Sequence, residues 1–294
     1  MIKQLKFPLT FVLIGTLVLS CAVSKKNKQL SDEAKRAFEM NDYQAALASY
    51  EQLIATGKGV TGDVWNKAGI AAWEVGQTEK AIDYLEKAKK ENSADAQGLF
   101  ALAKAYRKID NLSREIVNLK LCVDLNQPEL LSQARATLFD AYIRSENWNL
   151  ADSLWNALAP QYQSDVNLKT GYLIVNRKLK NNQKAEMLAK ELLKHDKNNT
   201  EALEFLGEYH FNRADELYVS EMNAYEKNKT TKQYKQLTEA LKKVNADYKI
   251  SRDYFETLYR LKPDKRYARY LGNIYTRFEN KQKADYWYKL AKYK

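Results

Sequence analysis

Glycine and proline are scarce in this 294-residue sequence, which contains ten glycines and four prolines. Sandwiches and barrels need many tight turns, and turns depend largely on these two residue types, so their scarcity argues against an all-β fold. The hydrophobic fraction of 45% excludes a wholly disordered chain. The sequence therefore predicts an almost entirely helical protein, whose length suits two ordinary domains or one repeat array.

Histidine and cysteine are also rare, with two residues of each. His195 lies in a lysine-rich helix end, which predicts an exposed side chain. His210 takes a place that tyrosine holds in neighbouring segments, which predicts a packing role instead of a metal ligand. Cys122 falls where alanine is common, so we expect a small buried thiol. The sequence accordingly predicts no metal site.

Catalytic motifs are missing as well. The sequence contains no glycine-rich phosphate loop, no Cys-x-x-Cys pair and no Gly-x-Ser-x-Gly. Its acidic pairs, such as Asp32 and Glu33, are sequence neighbours, so they point to different parts of a helix surface and do not converge across a cleft. An enzyme would need a catalytic group that this sequence does not supply. We therefore expect a protein that is not an enzyme and has no cofactor.

The charge balance is basic, with 48 Lys and Arg residues against 37 Asp and Glu residues and a formal net charge of +11. Such a balance suits nucleic acid, an anionic membrane or acidic partners. Here the basic residues are scattered and interleaved with acidic ones on predicted helices. Because no basic stripe carries interleaved aromatic residues, the sequence argues against a nucleic-acid partner.

The amino-terminal segment has the pattern of a targeting signal. Lys3 and Lys6 precede an apolar run over residues 7–19, which at about 13 residues is too short to span a bilayer but is typical of a signal-peptide core. The run ends in Val18-Leu19-Ser20-Cys21, which resembles the lipobox of bacterial lipoproteins. An ordinary secretory signal followed by a chance cysteine is the alternative interpretation.

The lipobox resemblance implies a specific domain order. Residues 1–20 would be a lipoprotein signal peptide, Cys21 would receive lipid, and residues 21–29 would form a polar tether. Acylation of Cys21 would leave one cysteine in the chain, so no internal disulfide is expected. Ala22 differs from the Asp that marks inner-membrane retention in Gram-negative lipoproteins. The resemblance therefore implies an outer-membrane anchor with the fold on the periplasmic side, and surface display remains the alternative.

A sequence period near 34 residues organises the rest of the chain. Equivalent positions of successive repeats, here called the repeat anchors, are mostly alanine: Ala46, Ala81, Glu115, Ala151, Ala185, Ser251 and Ala284. Successive anchors are 35, 34, 36, 34, 66 and 33 residues apart. Small residues at such anchors let two antiparallel helices approach closely, while larger apolar neighbours fill the space beside them. No single helical hairpin covers its own apolar face, so neighbouring hairpins must stack.

The period and its residues resemble the tetratricopeptide repeat (TPR), a helix-turn-helix unit. The residues that carry the resemblance are Trp65, Gly69, Ala81 and Ala88; Leu102, Ala103, Tyr106 and Leu119; Leu206, Gly207 and Pro263; and Leu271, Gly272, Tyr275, Ala284 and Ala291. The resemblance implies an all-α, right-handed superhelical α-solenoid of about seven TPR hairpins over residues 30–294. In this family the first helix of each repeat lines a concave groove.

Equivalent inward positions of the predicted first helices are mostly basic. The candidate groove residues are Trp73, Lys104, Arg107, Lys108, Arg144, Arg177 and Lys178. They predict a positively charged central groove that binds carboxylate-rich or otherwise anionic segments of protein partners. The alternative is that these charges are simply solvated on an exposed face.

The 66-residue separation predicts a helical arm at about residues 213–247. Both helical patterns continue without interruption on either side of residues 227–232, the expected hairpin tip, so the sixth hairpin has elongated helices. About 16 extra residues per helix correspond to roughly 24 Å. Such an arm folds back over the array, stands out as a docking element, or is an elongation without a partner.

These observations favour a lipid-anchored TPR scaffold of the bacterial cell envelope that mediates protein–protein interactions. The combination of anchor and repeats is similar to lipoprotein subunits of outer-membrane assembly or secretion complexes. The alternative is a glycan or ligand-capture lipoprotein associated with an outer-membrane transporter, which the short loops between the predicted helices disfavour.

Overall fold

The computed structural model describes the backbone of residues 11–292 and the side chains of residues 25–292. In these residues the regular structure is helical, without a strand, which confirms the all-α prediction. The helices are α1 (Phe11–Glu39), α2 (Tyr43–Ala55), α3 (Gly62–Glu74), α4 (Thr78–Lys90), α5 (Ala96–Lys108), α6 (Leu112–Asp124), α7 (Pro128–Arg144), α8 (Trp148–Trp155), α9 (Pro160–Ser164), α10 (Val166–Lys178), α11 (Asn182–His195), α12 (Thr200–Lys227), α13 (Thr231–Leu261), α14 (Lys265–Arg277) and α15 (Lys281–Lys292). The predicted signal peptide at residues 1–20 and the predicted lipidation site Cys21 lie outside the described side chains.

The chain divides into two compact units, Met1–Ala141 and Tyr142–Lys294. In the first unit, α1 packs on α2, α3 on α4 and α5 on α6. In the second unit the packed pairs are α10 with α11, α12 with α13 and α14 with α15, while the single-turn helix α9 precedes α10. The division falls within α7, and α8 is the next helix along the chain. The helices thus follow one another in the order expected for seven hairpins.

Left-handed residues recur in the turns between the paired helices. Their spacing follows the repeat period, at Asn41, Gly76, Asp110, Glu146, Lys180 and Glu279, with φ values between 56° and 81°. Glycine and asparagine adopt this conformation at low cost, whereas a side chain such as that of Lys180 costs roughly 1 kcal/mol there. The turns within the hairpins therefore recur at the repeat period, although three of them use residues that do not favour the conformation.

The repeat anchors predicted from the sequence are all buried. The five alanines among them are at most 4% exposed. The two polar anchors are also buried and have partners: Ser251 Oγ donates to Gly207 O at 2.8 Å, and Glu115 Oε1 lies 3.9 Å from Arg107 Nη1. At Gly69, an added Cβ would lie 2.5 Å from Leu85 Cγ, which shows how closely the two helices of a hairpin approach. Burial also raises the pKa of the Cys122 thiol to about 11, in agreement with a small structural cysteine.

The segment predicted as a tether differs from the expectation where it is described. Residues 25–29 are part of α1, and Asn27 is 9% exposed. Its side-chain amide donates to Thr56 Oγ1 and to Lys58 O, both at 3.1 Å. These bonds join the middle of α1 to the residues that follow α2, so the packed part of the fold includes residues before residue 30. The polar composition of this segment predicts a tether because composition alone does not show that Asn27 has hydrogen-bond partners in the fold.

The elongated sixth hairpin is present. With 28 and 31 residues, α12 and α13 are 15 and 18 residues longer than the 13-residue α14. The tip is the short connection 228–230, inside the predicted 227–232. The lower part of the arm is packed, since Arg277 Nη2 of α14 lies 3.0 Å from Asp215 Oδ1 and its guanidinium covers the ring of Tyr218. Beyond Tyr218, α12 continues for nine residues, or about 13 Å.

The last helix covers the end of the second unit with its aromatic residues. Tyr288 lies against Gly272, and its hydroxyl donates to Asn273 Oδ1 at 2.9 Å. Trp287 makes an edge contact with Tyr259 at 5.1 Å between ring centroids. Trp287 and Tyr288 therefore pack within the second unit. The exposed aromatic residue of this helix is Tyr286, at 56%.

Candidate functional site

The predicted groove residues all lie at or near the C-terminal ends of first helices. Trp73 belongs to α3, Lys104, Arg107 and Lys108 to α5, Arg144 to α7, and Arg177 and Lys178 to α10. First helices are neighbours within each unit, because α3 packs on α5 and α10 packs on α12. Their shared surface is here called the first-helix face of the respective unit.

In the first unit, Trp73 and Lys104 are brought together. Lys104 Nζ lies 5.3 Å from the centroid of the Trp73 ring and 5.2 Å from that of Phe100. A lysine over an aromatic face is attracted by the negative π surface. This ammonium is half-buried and is therefore already engaged within the fold. Lys108, four residues further along α5, is exposed.

Arg107 is an ion-paired residue. Its Nη2 lies 3.0 Å from Asp140 Oδ2, and its Nη1 faces the carboxylate of Glu115, which is 1% exposed. Arg107 thereby supplies positive charge to a buried carboxylate, which is costly to leave without a compensating cation. Its positive charge is for the same reason partly compensated at the surface.

In the second unit, Arg177 is surrounded by acidic side chains of α12. Its Nη2 lies 2.7 Å from Glu208 Oε2 and 3.7 Å from Glu204 Oε1, and its Nη1 lies 3.7 Å from Glu201 Oε2. The neighbouring Lys178 is exposed, with its Nζ 5.6 Å from the centroid of the Trp148 ring. Arg144 is also exposed, at the end of α7. The positively charged groove stays a prediction, but two of its arginines are already paired.

The acidic partners occupy a consistent place in the sequence. Arg107 pairs with Asp140 and Arg177 with Glu208, 33 and 31 residues later. Side chains in adjacent first helices thus meet at a separation slightly shorter than the repeat period. Comparing only equivalent positions of each repeat finds the basic residues and misses these acids. A search for opposite charges one to three residues short of the 34-residue period would have found them.

Two cavities flank Glu208 on the first-helix face of the second unit. One cavity, of about 380 Å³, is lined by residues that include Arg177, Phe205, Tyr209 and Arg213. The other, of about 330 Å³, is lined by Glu208, Arg266, Arg269, Tyr270 and Asn273. Guanidinium and tyrosine groups at a concave surface supply fixed hydrogen-bond donors and flat contact area, which are features of protein interfaces. This part of the surface, here called the Glu208 site, is the candidate binding site.

The carboxylates of the Glu208 site differ in their environment. Burial raises the pKa of Glu208 above its usual range, although Arg177 opposes this rise. Glu204 accepts a hydrogen bond from the Tyr267 hydroxyl and lies 3.3 Å from Arg266 Nη1. Among the described residues Arg269 is exposed and has no ion-pair partner. The site therefore combines internally paired arginines with one that is available to a ligand.

A cluster of buried His210 and Asp247 with the more exposed Arg213 joins α12 to α13 at the base of the arm, and sequence reasoning did not find it. His210 of α12 is 4% exposed, and its Nδ1 lies 2.8 Å from Asp247 Oδ1 of α13. Arg213 Nε donates to Asp247 Oδ2 at 2.8 Å. Burial of Asp247 opposes its ionisation, but the hydrogen bonds from Arg213 and His210 lower its pKa below the usual range. His210 is therefore buried, as its predicted packing role requires, and it also contacts a carboxylate 37 residues further along the sequence.

The described residues form neither a membrane span nor a metal site. Between residues 11 and 292, no helix has both the length and the apolar character that a membrane span requires. The same part of the chain contains no group of three or more His, Cys, Asp or Glu side chains placed to hold a metal ion. The candidate site is thus defined by the charged and aromatic residues of the first helices.

Comparison with known proteins identifies the repeat. The tetratricopeptide repeat family model matches residues 31–97 and 66–116. The C-terminal part of a TPR repeat-containing protein from Cytophaga hutchinsonii has a similar structure, with a TM-score of 0.52 and 16% identity, covering 88% of this chain and 92% of that one. A protein from Bacteroides ovatus has a TM-score of 0.51 and 20% identity over 74% of this chain and 98% of its own. The comparison with curated proteins finds no match.

The family match and the structural neighbours agree with the helix order and the buried anchors described above. Repeats of this kind generally form non-catalytic scaffolds that bind other proteins, with stacked helical pairs providing the binding surface. The described part of the chain therefore has an all-α solenoid fold, and its residues 31–116 match the tetratricopeptide repeat family.

Proposed function

We propose that this chain is a lipid-anchored TPR scaffold of the bacterial cell envelope and that its Glu208 site binds a protein segment. The observation that carries the proposal is the pair of cavities on either side of Glu208, both lined by arginine and tyrosine side chains. These groups bind extended polypeptide well, because arginine donates to carboxylates and carbonyls in a fixed geometry and tyrosine adds apolar contact area.

The ligand class is a segment that carries at least one carboxylate. Arg177 and Arg266 are occupied by glutamates, whereas Arg269 stands exposed beside Asn273 at the edge of the second cavity. An incoming carboxylate pairs with Arg269 without displacing an existing partner. The sequence predicts a positively charged groove for anionic segments. We propose that such a segment binds at the Glu208 site of the second unit only.

A matched pair of charge reversals tests the site. The full-length protein with Arg269→Glu is compared with Arg260→Glu, which reverses an exposed arginine on the second helix α13. Each protein is purified from detergent-solubilised envelope, and the co-purifying proteins are quantified. We expect Arg269→Glu to remove a partner that Arg260→Glu retains. Equal recovery from both variants would contradict the proposed site, and free oligosaccharide in the eluate in place of protein would favour glycan capture.

The envelope location is supported by the apolar run at residues 7–19 and the lipobox-like Val18-Leu19-Ser20-Cys21. We propose that Cys21 carries lipid and places the fold at the periplasmic side of the outer membrane, within an assembly or secretion complex. Mass spectrometry of the mature amino terminus tests the anchor. An acylated Cys21 is expected, and Cys21→Ser is expected to release the protein from the membrane fraction. A mature protein that begins upstream of residue 21 would exclude lipidation there.

A further inference from the structure

The arm ends in a basic tip that is distinct from the Glu208 site. The arm tip, residues 225–236, contains four lysines and one acidic residue, Glu226, which gives a net charge of +3. The lysines are Lys227, Lys229, Lys232 and Lys235, and all four are exposed. In the described part of the second unit none of them has an ion-pair partner. The arm tip therefore concentrates uncompensated positive charge at the end of a protruding hairpin.

Four arginines elsewhere in the second unit are used differently. Arg177, Arg213, Arg266 and Arg277 each pair with a carboxylate of a neighbouring helix. Arginine provides a planar fork of donors that holds a partner in one geometry, whereas lysine is a mobile point charge on a flexible stem. Because the tip carries lysine and no arginine, it suits a diffuse anionic surface better than a partner of fixed geometry.

Two tyrosines complete the tip. The rings of Tyr225 and Tyr234 lie side by side across the hairpin, with 6.0 Å between their centroids, and Tyr234 is 58% exposed. Tyrosine is enriched where membranes meet water, since its ring is apolar and its hydroxyl is polar. Exposed tyrosines next to unpaired lysines therefore match the chemistry of a phospholipid headgroup region.

The contacts of the tip show that it is not used within the second unit. The hydrogen bonds, ion pair and ring contact described for residues 219–243 all join residues of the arm itself. A cavity of about 560 Å³ lies along the arm and includes Lys235. The lysines Lys227, Lys229 and Lys232 are not part of its lining and are exposed, so they are accessible to a flat surface. We infer that the arm tip docks on an anionic phospholipid surface, through its four lysines and Tyr234.

Hydrogen exchange of the full-length protein tests this inference. The protein is incubated with phosphatidylcholine vesicles, with or without phosphatidylglycerol, and exchange of the tip amides is followed by mass spectrometry. Since each lysine near an anionic surface strengthens attraction severalfold, we expect tip amides to exchange about tenfold more slowly, or slower still, on the anionic vesicles only. The protection is expected to weaken as salt is raised.

A matched variant separates the tip from the overall charge of the chain. The test variant changes the four tip lysines to Gln, and the control changes four exposed lysines elsewhere in the second unit: Lys180, Lys194, Lys197 and Lys249. Both variants lose the same charge, and equal thermal midpoints show that both are folded. Protection that survives in the control and is lost in the test variant supports the inference.

Three results would overturn it. The first is equal tip exchange on both kinds of vesicle, and the second is unchanged protection in the tip variant. The third is protection of the tip by soluble polyglutamate but not by phosphatidylglycerol vesicles, which would identify an acidic protein as the occupant. Because the readout is local to residues 225–236, none of these results depends on the Glu208 site.

Discussion

At the scale of single residues, the repeat tolerates polar side chains at its most buried positions when each has a defined partner. Ser251 replaces an anchor alanine and donates to Gly207 O, and Glu115 replaces another and faces Arg107. Asp247 is similarly buried between His210 and Arg213. Since a buried polar group costs stability unless it is bonded, these residues fix one arrangement of neighbouring helices.

Replacement of Asp247 should measure this effect. Asp247→Asn leaves Arg213 and His210 without their acceptor charge, and because Arg213 stays half-exposed we expect a loss of about 2 kcal/mol in the free energy of unfolding. Urea denaturation measures the change. Asp253→Asn removes an exposed ion pair with Arg252 and serves as control, with an expected change of less than about 0.5 kcal/mol. Similar losses in both variants would show that burial of the cluster is unimportant.

The pH dependence of the same cluster follows from the lowered pKa of Asp247. A carboxyl whose folded-state pKa lies below its unfolded value stabilises the fold above the unfolded value, about 3.9 for Asp, and loses this contribution as the pH falls through the folded pKa. The stability difference between wild type and Asp247→Asn should therefore be constant near neutral pH and shrink below about pH 4. A difference that grows on acidification would contradict the assignment.

At the scale of helical elements, close approach within a hairpin depends on small anchors. A Cβ at Gly69 would lie 2.5 Å from Leu85 Cγ and 3.0 Å from Leu85 N. We expect Gly69→Ala to destabilise the fold by about 1–3 kcal/mol through overpacking. Leu85→Ala alone should cost about 2–5 kcal/mol through its cavity. Because the added methyl enters that cavity, thermal unfolding of the double variant should show a cost clearly below the sum, and additive costs would refute the contact.

The arm is an element with two parts of different importance. Its base contributes Ala214, Val244 and Tyr248 to the second unit's core, whereas residues 219–243 make the contacts internal to the hairpin. Replacing residues 219–243 by a short turn should change the free energy of unfolding by about 1 kcal/mol or less, since such local extensions are weakly coupled to the core. Removal of residues 214–247 takes away Asp247 and the core residues Ala214 and Val244, so calorimetry should show loss of the cooperative transition of this unit.

At the scale of the whole molecule, stability should be distributed along the array, because stacked repeats interact chiefly with their neighbours. The Gly69→Ala variant provides a test by native-state hydrogen exchange. We expect slowly exchanging amides of α3 and α4 to exchange about tenfold faster or more, while those of α14 and α15 stay near their wild-type rates. Uniform acceleration along the chain would show instead that the repeats unfold as one cooperative unit.

The sequence by itself determined the helices, the repeat frame and the elongated sixth hairpin. Each of these depends on local patterns: the spacing of apolar residues over three or four positions, turn residues between helices, and the recurrence of small anchors such as Ala46 and Ala81. Such patterns can be recognised in a single sequence because residues three or four positions apart in a helix are also neighbours in space.

Only the tertiary structure decided which charges meet. The pairing of Arg107 with Asp140, of Arg177 with Glu208 and of Asp247 with His210 joins residues 31 to 37 positions apart. Their meeting depends on how two helices are staggered and rotated against each other, which changes the partner of a long side chain within a single helical turn. For the same reason the predicted basic residues lie on the first helices as expected, while part of their charge is compensated by acids that the repeat alignment did not bring together.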